Sequence, residues 1–178
     1  MKTLVVYTSQ TGFTKKYAQW IAERTGADIF DTKDVQKKDD SFFGEYEAIV
    51  YAGWIMAEKV AKVNWFLDKA RNWKDKKLAV VAVGAGPVDS PQAKQALQKI
   101  LTDEQRSYIE TFYCQGGLNY EKMNVGSRLM MKAFTGSLKK SKSEESRKMG
   151  AFLDHSFDSS DAKYIEPLVA YIQKAMSA

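Results

Sequence analysis

Between Tyr7 and Thr14 the chain reads YTSQTGFT, with four hydroxyls after the tyrosine, one glycine and no charge. Ser9, Thr11 and Thr14 can each donate a hydrogen bond to an anion's oxygens. Gly12 lets the backbone approach closely or take a positive φ. No lysine or arginine lies between Lys2 and Lys15. Hydroxyls without a countercharge suit a terminal monophosphate that is anchored and retained. Phosphoryl transfer would need a GxxxxGK[ST] lysine and a magnesium site, and the chain has no such motif. The competing reading is a plain strand-to-helix turn with Thr11 or Thr14 as the helix cap.

Other reactive groups are scarce. Cys114 is the one cysteine and His155 the one histidine. An intramolecular disulfide is therefore impossible, a zinc site lacks its ligands, and a Ser-His-Asp or Cys-His triad is a poor fit. No calcium-loop spacing occurs, and no metal site is expected. Cys114 reads as a small buried hydrophobe, and His155, in a polar stretch, as exposed and without a role. No side chain is expected to be catalytic, so a cofactor must carry any difficult chemistry.

The elements that must position the hydroxyls follow from periodicity. The 178 residues suit one domain, and 44% apolar content marks a globular chain. Residues 3–7 (TLVVY) form a continuous apolar run, as in a strand covered on both faces. Tyr17, Ala18, Ile21 and Ala22 share a helical face over residues 14–25, and Gly26 suits the helix end. Residues 27–31 predict a second strand and residues 34–43 a loop or weak turn. Residues 48–52 predict a third strand ending at Gly53, and residues 61–73 a helix. Residues 77–83 predict the fourth strand. Ser90 and Pro91 open a helix as cap and first residue, with Ala93, Ala96, Leu97, Ile100 and Leu101 on its apolar face. Residues 110–115 predict the fifth strand. Ile165, Leu168, Val169, Ile172 and Met176 mark a last helix, whose start Pro167 leaves undefined. Alternation of this kind predicts an α/β fold: a doubly wound, five-stranded parallel sheet with helices on both faces. The hydroxyl loop then lies at the carboxyl end of strand one, where such sheets bind ligands, and at a helix N-terminus, which favours anions.

Here a resemblance enters. Ser9-Gln10-Thr11-Gly12-Phe13-Thr14 resembles the S/T-x-T-G-x-T phosphate loop of the flavodoxin family, in the same place after the first strand. The resemblance covers residues 1–115 and the last helix. It implies strand order 2-1-3-4-5 in a single domain over residues 1–178, and flavin mononucleotide (FMN) as cofactor. It also implies phosphate contacts from Ser9, Gln10, Thr11, Gly12, Phe13 and Thr14. The ring is then expected between Gly53-Trp54-Ile55-Met56-Ala57 and Gly84-Ala85-Gly86. Trp54 would lie on its face and Ile55 or Met56 would close over it. The alternative for Trp54 is an aromatic capping the sheet. A third edge loop is expected at Gly116, Gly117, Leu118, Asn119 and Tyr120.

Residues 116–150 interrupt the rhythm as a basic insertion between the fifth strand and the last helix. They hold eight Lys and Arg against three Glu, while the other 143 residues carry nineteen charges of each sign. Val125, Leu129, Met130, Met131, Ala133 and Phe134 sit among these cations, as in an amphipathic helix. Such a helix can lie on an anionic membrane or bind an acidic partner through Lys122, Arg128, Lys132, Lys139 and Lys140. Alternatively its methionines pack on the domain. The region resembles the insertion of flavodoxin-like, menaquinone-dependent protoporphyrinogen dehydrogenases, which share the MKT start and a basic, methionine-containing helix. That resemblance implies an FMN-dependent oxidoreductase with a quinone acceptor or a porphyrinogen-like donor. A flavodoxin-type electron carrier and a non-enzymatic binding module are the alternatives. No nucleic-acid partner is expected. No apolar run approaches the ~20 residues of a membrane span, and the first residues lack the apolar region of a signal peptide. The expected location is cytoplasmic, with a peripheral membrane contact open.

Overall fold

The computed structural model describes residues 1–56 and 59–174. The elements in chain order are β1 (Thr3–Thr8), α1 (Phe13–Thr25), β2 (Asp28–Asp31), α2 (Thr32–Val35), α3 (Asp40–Gly44), β3 (Ala48–Met56) and β4 (Lys59–Val60). After these come α4 (Val63–Ala70), β5 (Lys77–Gly84), α5 (Pro91–Ile100), α6 (Asp103–Arg106), β6 (Ile109–Gln115) and β7 (Gly117–Leu118). The chain continues through α7 (Val125–Lys139), α8 (Glu144–Phe152), β8 (Phe157–Asp158), a 3-10 turn (Ala162–Ile165) and α9 (Glu166–Gln173).

Five strands pair in parallel in the order β2-β1-β3-β5-β6, which is the expected 2-1-3-4-5 arrangement. Alternate side chains enter opposite faces. Leu4, Val6, Ile49, Tyr51, Leu78 and Val80 pack with Phe43, Phe66 and Trp73 on one face. Val5, Val50, Ala79, Val81 and Cys114 pack with Tyr17, Ile21, Leu168 and Ile172 of α1 and α9 on the other. Both faces are covered, which explains the unbroken apolar runs. Gly26 ends α1 in the left-handed region at φ 68°, and the Ser90 hydroxyl accepts from the Ala93 N–H at 3.1 Å.

The departures have local causes. Gly53 does not end the third strand. It pairs with Thr8 and Ala82, and a Cβ there would stand 2.5 Å from Val60 Cγ1. Beyond Trp54, the last residue to pair with β5, Ile55 and Met56 pair antiparallel with Val60 and Lys59 of β4 instead. The expected loop is thus a strand extension. Residues 34–43, expected as a loop or weak turn of helix, hold parts of two short helices. Asp31 and Asp39 cap α2 and α3, which bury Val35 and Phe43. Four successive charges, Lys37 to Asp40, mask this in the sequence. Pro167 falls in the first turn of α9, where its missing N–H costs nothing. Met176 lies outside the described residues. The insertion holds two helices where one was expected. They cross closely at Gly150, whose Cβ would stand 2.8 Å from Leu138 Cβ.

Candidate functional site

The loop after β1 is held by its own backbone. Gly12 occupies the α1 N-cap position at φ 103°, with no side-chain cap bond, so neither Thr11 nor Thr14 is the helix cap. The Ser9 hydroxyl accepts from the Gly12 N–H at 3.2 Å and braces the turn. The first-turn N–H groups of α1 are left for an anion. Thr8, though part of the hydroxyl run, belongs to the layer beneath. Its Oγ1 lies 2.9 Å from Thr32 Oγ1 and 2.8 Å from the Tyr51 hydroxyl, which donates to Ala61 O at 2.5 Å. Burial pushes the Tyr51 phenol up to about 12, so it stays protonated as a donor.

A cleft of about 80 Å³ opens beside this loop. Gln10, Thr11, Phe13 and Thr14 line one side, Trp54, Ile55 and Met56 a second, and Val83, Gly84 and Ala85 a third. Gly117 and Leu118 line a further side, and Met123, Ser127 and Met131, from α7 and the segment before it, close it. Trp54 is half-buried and pairs with Val83 in the sheet, so a strand position sets its ring. None of the described lining residues is ionisable. The described residues therefore offer no acid or base here.

The remaining expected residues lie around the cleft. Ser9 sits behind the loop and Gly53 is buried in the sheet. Gly12 lines an adjoining cavity and Gly86 an adjoining groove. Ala57 lies outside the described residues. Gly84 leaves less room than its size suggests: a Cβ there would meet the Tyr113 hydroxyl at 2.4 Å, and that hydroxyl donates to Gly86 O at 2.8 Å. Gly116 and Gly117 likewise make room for protein. A Cβ on Gly116 would stand 3.0 Å from Val83 Cγ1, and one on Gly117 would stand 2.1 Å from Phe157 O. Tyr120 turns away, its hydroxyl donating to Leu153 O at 2.6 Å. Cys114 is buried, and burial raises its thiol to about 12. His155 is exposed.

Two larger spaces flank the cleft. One, of about 410 Å³, joins Thr11 and Gly12 to Lys16, Asn119, Lys122, Ser156 and Asp158. The loop therefore has two lysines nearby: Lys16, two residues after Thr14, and Lys122, which the local sequence conceals. Lys16 Nζ contacts Asp158 Oδ2 at 3.0 Å and Ser160 Oγ at 2.7 Å. Burial opposes the Asp158 charge, but hydrogen bonds from Ser160 and Lys16 outweigh it and hold the carboxyl below its usual range. The other space is an apolar groove of about 740 Å³ between Ile55, Met56, Ala85 to Pro87 and the α7–α8 pair. Sequence reasoning missed Val83, Met123 and Ser127 in the cleft. Met131 stood out only as part of an apolar stripe. The place of Met123, Ser127 and Met131 depends on α7 folding back, which no local pattern encodes.

The residues present fit FMN. An uncapped helix start and the Thr11 and Thr14 hydroxyls suit a terminal phosphate, and an aromatic, apolar, non-ionisable cleft suits a flat ring. About 80 Å³ is below the ~300 Å³ where ligand pockets begin. Met56, Met123 and Met131 line it, and their flexible side chains are the ones able to give way.

No curated protein matches the chain. Among solved structures, it is similar to a flavodoxin, WrbA-like protein from Agrobacterium tumefaciens. That match has 17% identity and TM-score 0.50, over 86% of this chain and 94% of that one. The Trp repressor binding protein of Bacillus subtilis is similar at 15% identity and TM-score 0.50, over 65% and 85%. A flavoprotein in complex with FMN from Lactobacillus acidophilus gives 18% identity and TM-score 0.44, over 63% and 90%. The family model described as flavodoxin domain matches residues 4–146. That match covers most of the sheet and α7, and the chain belongs to the flavodoxin domain family.

Proposed function

We propose that the chain is an FMN-dependent oxidoreductase that exchanges electrons with an apolar or amphipathic redox partner. When bound, FMN supplies reversible electron and hydride transfer. The chain's residues supply the rest. Ser9 and Gly12 shape the loop, Thr11, Thr14 and the first N–H groups of α1 hold the phosphate, and Gln10 and Phe13 wall its side. Trp54, Ile55 and Met56 bound the ring space with Gly84 and Ala85, and Met123 and Met131 exclude water.

The observation that carries an enzyme over a bare carrier is the groove of about 740 Å³. Ile55, Met56, Ala85, Leu118 and Met131 line both cleft and groove, so a second apolar molecule seated there would abut the cleft. A quinone, or a porphyrinogen-like donor, has that character. The lining mixes apolar side chains with Lys148 and Glu145. FMN titration followed by anaerobic mixing of the reduced protein with a soluble naphthoquinone tests the reading. Rapid saturable reoxidation that Met130→Glu slows, with FMN affinity unchanged, supports it. Failure to bind FMN sinks the cofactor reading. FMN binding with one-electron redox steps and no saturable quinone reaction leaves a flavodoxin-type carrier.

A further inference from the structure

A helix on a globular surface normally turns its apolar side inward. α7 does so only in part, through Met131 and Leu138. Ser127 and Thr135 are its buried side chains, while Val125 is 83% exposed, Leu129 69%, Met130 52% and Phe134 50%. Val125, Leu129 and Ala133 recur every four residues and form one line along the exposed surface. Met149 and Phe152 of α8 extend the apolar area. Contiguous exposed apolar patches of this kind are uncommon on monomers and mark contact surfaces.

The surrounding charge narrows the occupant. Arg128 is engaged by the Glu121 and Met123 carbonyls, Lys139 by Asp154, and Lys148 by Glu144 at 2.8 Å. Among the described residues Lys132, Lys140 and Lys142 form no ion pair, and they border the apolar line on α7 and the turn after it. The Val125–Leu129–Ala133 line is a row on one helix, outside the groove that Met130, Phe134, Met149 and Phe152 border, and gives a protein partner's side chains no socket. A lipid surface requires none, and long lysine side chains can reach its headgroups while the apolar residues enter below.

We propose that this face docks on an anionic lipid bilayer, with Val125, Leu129 and Ala133 entering the headgroup boundary and Lys132, Lys140 and Lys142 meeting the lipid charge. No helix among the described residues is long and apolar enough to cross a membrane, so the contact is peripheral. The proposal does not depend on what the cleft or groove holds.

The test is co-sedimentation of the full chain with phosphatidylcholine vesicles, with and without phosphatidylglycerol. Binding is expected to the anionic vesicles alone, weakening about tenfold or more as salt rises through the physiological range. Leu129→Asp should abolish it, and each lysine-to-glutamine change should weaken it about fivefold. Both variants should keep the wild-type melting temperature and FMN affinity, since these side chains are exposed. Leu129→Ser provides a second, milder variant. Absence of binding, equal binding to neutral vesicles, or unchanged binding by Leu129→Asp would overturn the proposal. So would a concentration-dependent dimer that Leu129→Asp dissociates, which would assign the face to a second copy.

Discussion

The loop after β1 and the α7–α8 insertion both border the cleft, but they are built on opposite principles. The loop is short, uncharged and shaped by backbone: Gly12 at positive φ, a Ser9 brace and an open helix start. The insertion is long and charged, and is shaped by packing: Gly150 against Leu138, Tyr120 against Leu153 O, and Thr135 Oγ1 donating to Asp154 Oδ1 at 3.2 Å. A site that must hold one anion in one place gains from local rigidity. A surface that admits varied or larger partners gains from exposed, adaptable side chains such as methionine. On the proposed function, this difference makes the cofactor's anchor and the partner's entrance separately alterable.

The junction between the two regions is the most sensitive point. Gly117→Ala puts a methyl group 2.1 Å from Phe157 O and 2.9 Å from Phe13 Cζ. We expect a loss of about 3 kcal/mol in stability, the upper part of the overpacking range, read by urea unfolding, together with weakened FMN binding. Next, Thr14→Val keeps the shape of a buried residue but removes its hydroxyl. FMN affinity should fall by about 1–3 kcal/mol, the scale for a hydrogen bond to a charged group, with the melting temperature little changed. An unaltered dissociation constant would show that the hydroxyl faces no phosphate. The insertion's own test is Gly150→Ala, which forces α7 and α8 apart. We expect about 1–2 kcal/mol of destabilisation and an impaired quinone reaction, but FMN affinity within twofold. A large drop in FMN affinity would break the separation of the two regions.

The smallest effect concerns pH. The Asp158 carboxyl has a depressed folded pKa. Its contribution is therefore present above the unfolded value near 4 and is lost as pH falls through the lower folded value. The pair with Lys16 is half exposed, so we expect under about 1 kcal/mol. Comparing urea midpoints of wild type and Asp158→Asn at pH 6 and pH 3 measures it, and the difference between them should shrink in acid.

How much was legible depended on range. The five strands, α1 with its Gly26 end, the Ser90-Pro91 start and the place of the hydroxyl loop all follow from patterns within about fifteen residues, whereas the sheet order was implied only by the family resemblance. Trp54, Ile55 and Met56 were legible as lining residues but not as strand, because Gly53 reads as a breaker until Val60 is seen filling its Cβ space. Phe43 was hidden among charges. Met123 and Ser127 were invisible, because nothing near them in sequence says that α7 returns to the sheet. The glycines carry a second role that the sequence does not show. Gly84 and Gly117 line the cleft as expected, and at Gly84, Gly116 and Gly117 the space a side chain would take is filled by Tyr113, Val83 and Phe157.

The hydroxyl chain Thr8–Tyr51–Ala61, with Thr32 beside it donating to Tyr7 O at 3.0 Å, has a consequence for motion. It ties the end of β1, the start of α2, the middle of β3 and the residue after β4 into one hydrogen-bonded unit. Such units open together or not at all. Backbone amides around Thr8, Thr32 and Ala61 should therefore share one hydrogen-exchange rate, and in Tyr51→Phe all three should quicken together. The floor under the anion loop and the strand pair beside the cleft would then behave as a single slow hinge plate, with the methionines above it as the fast-moving parts.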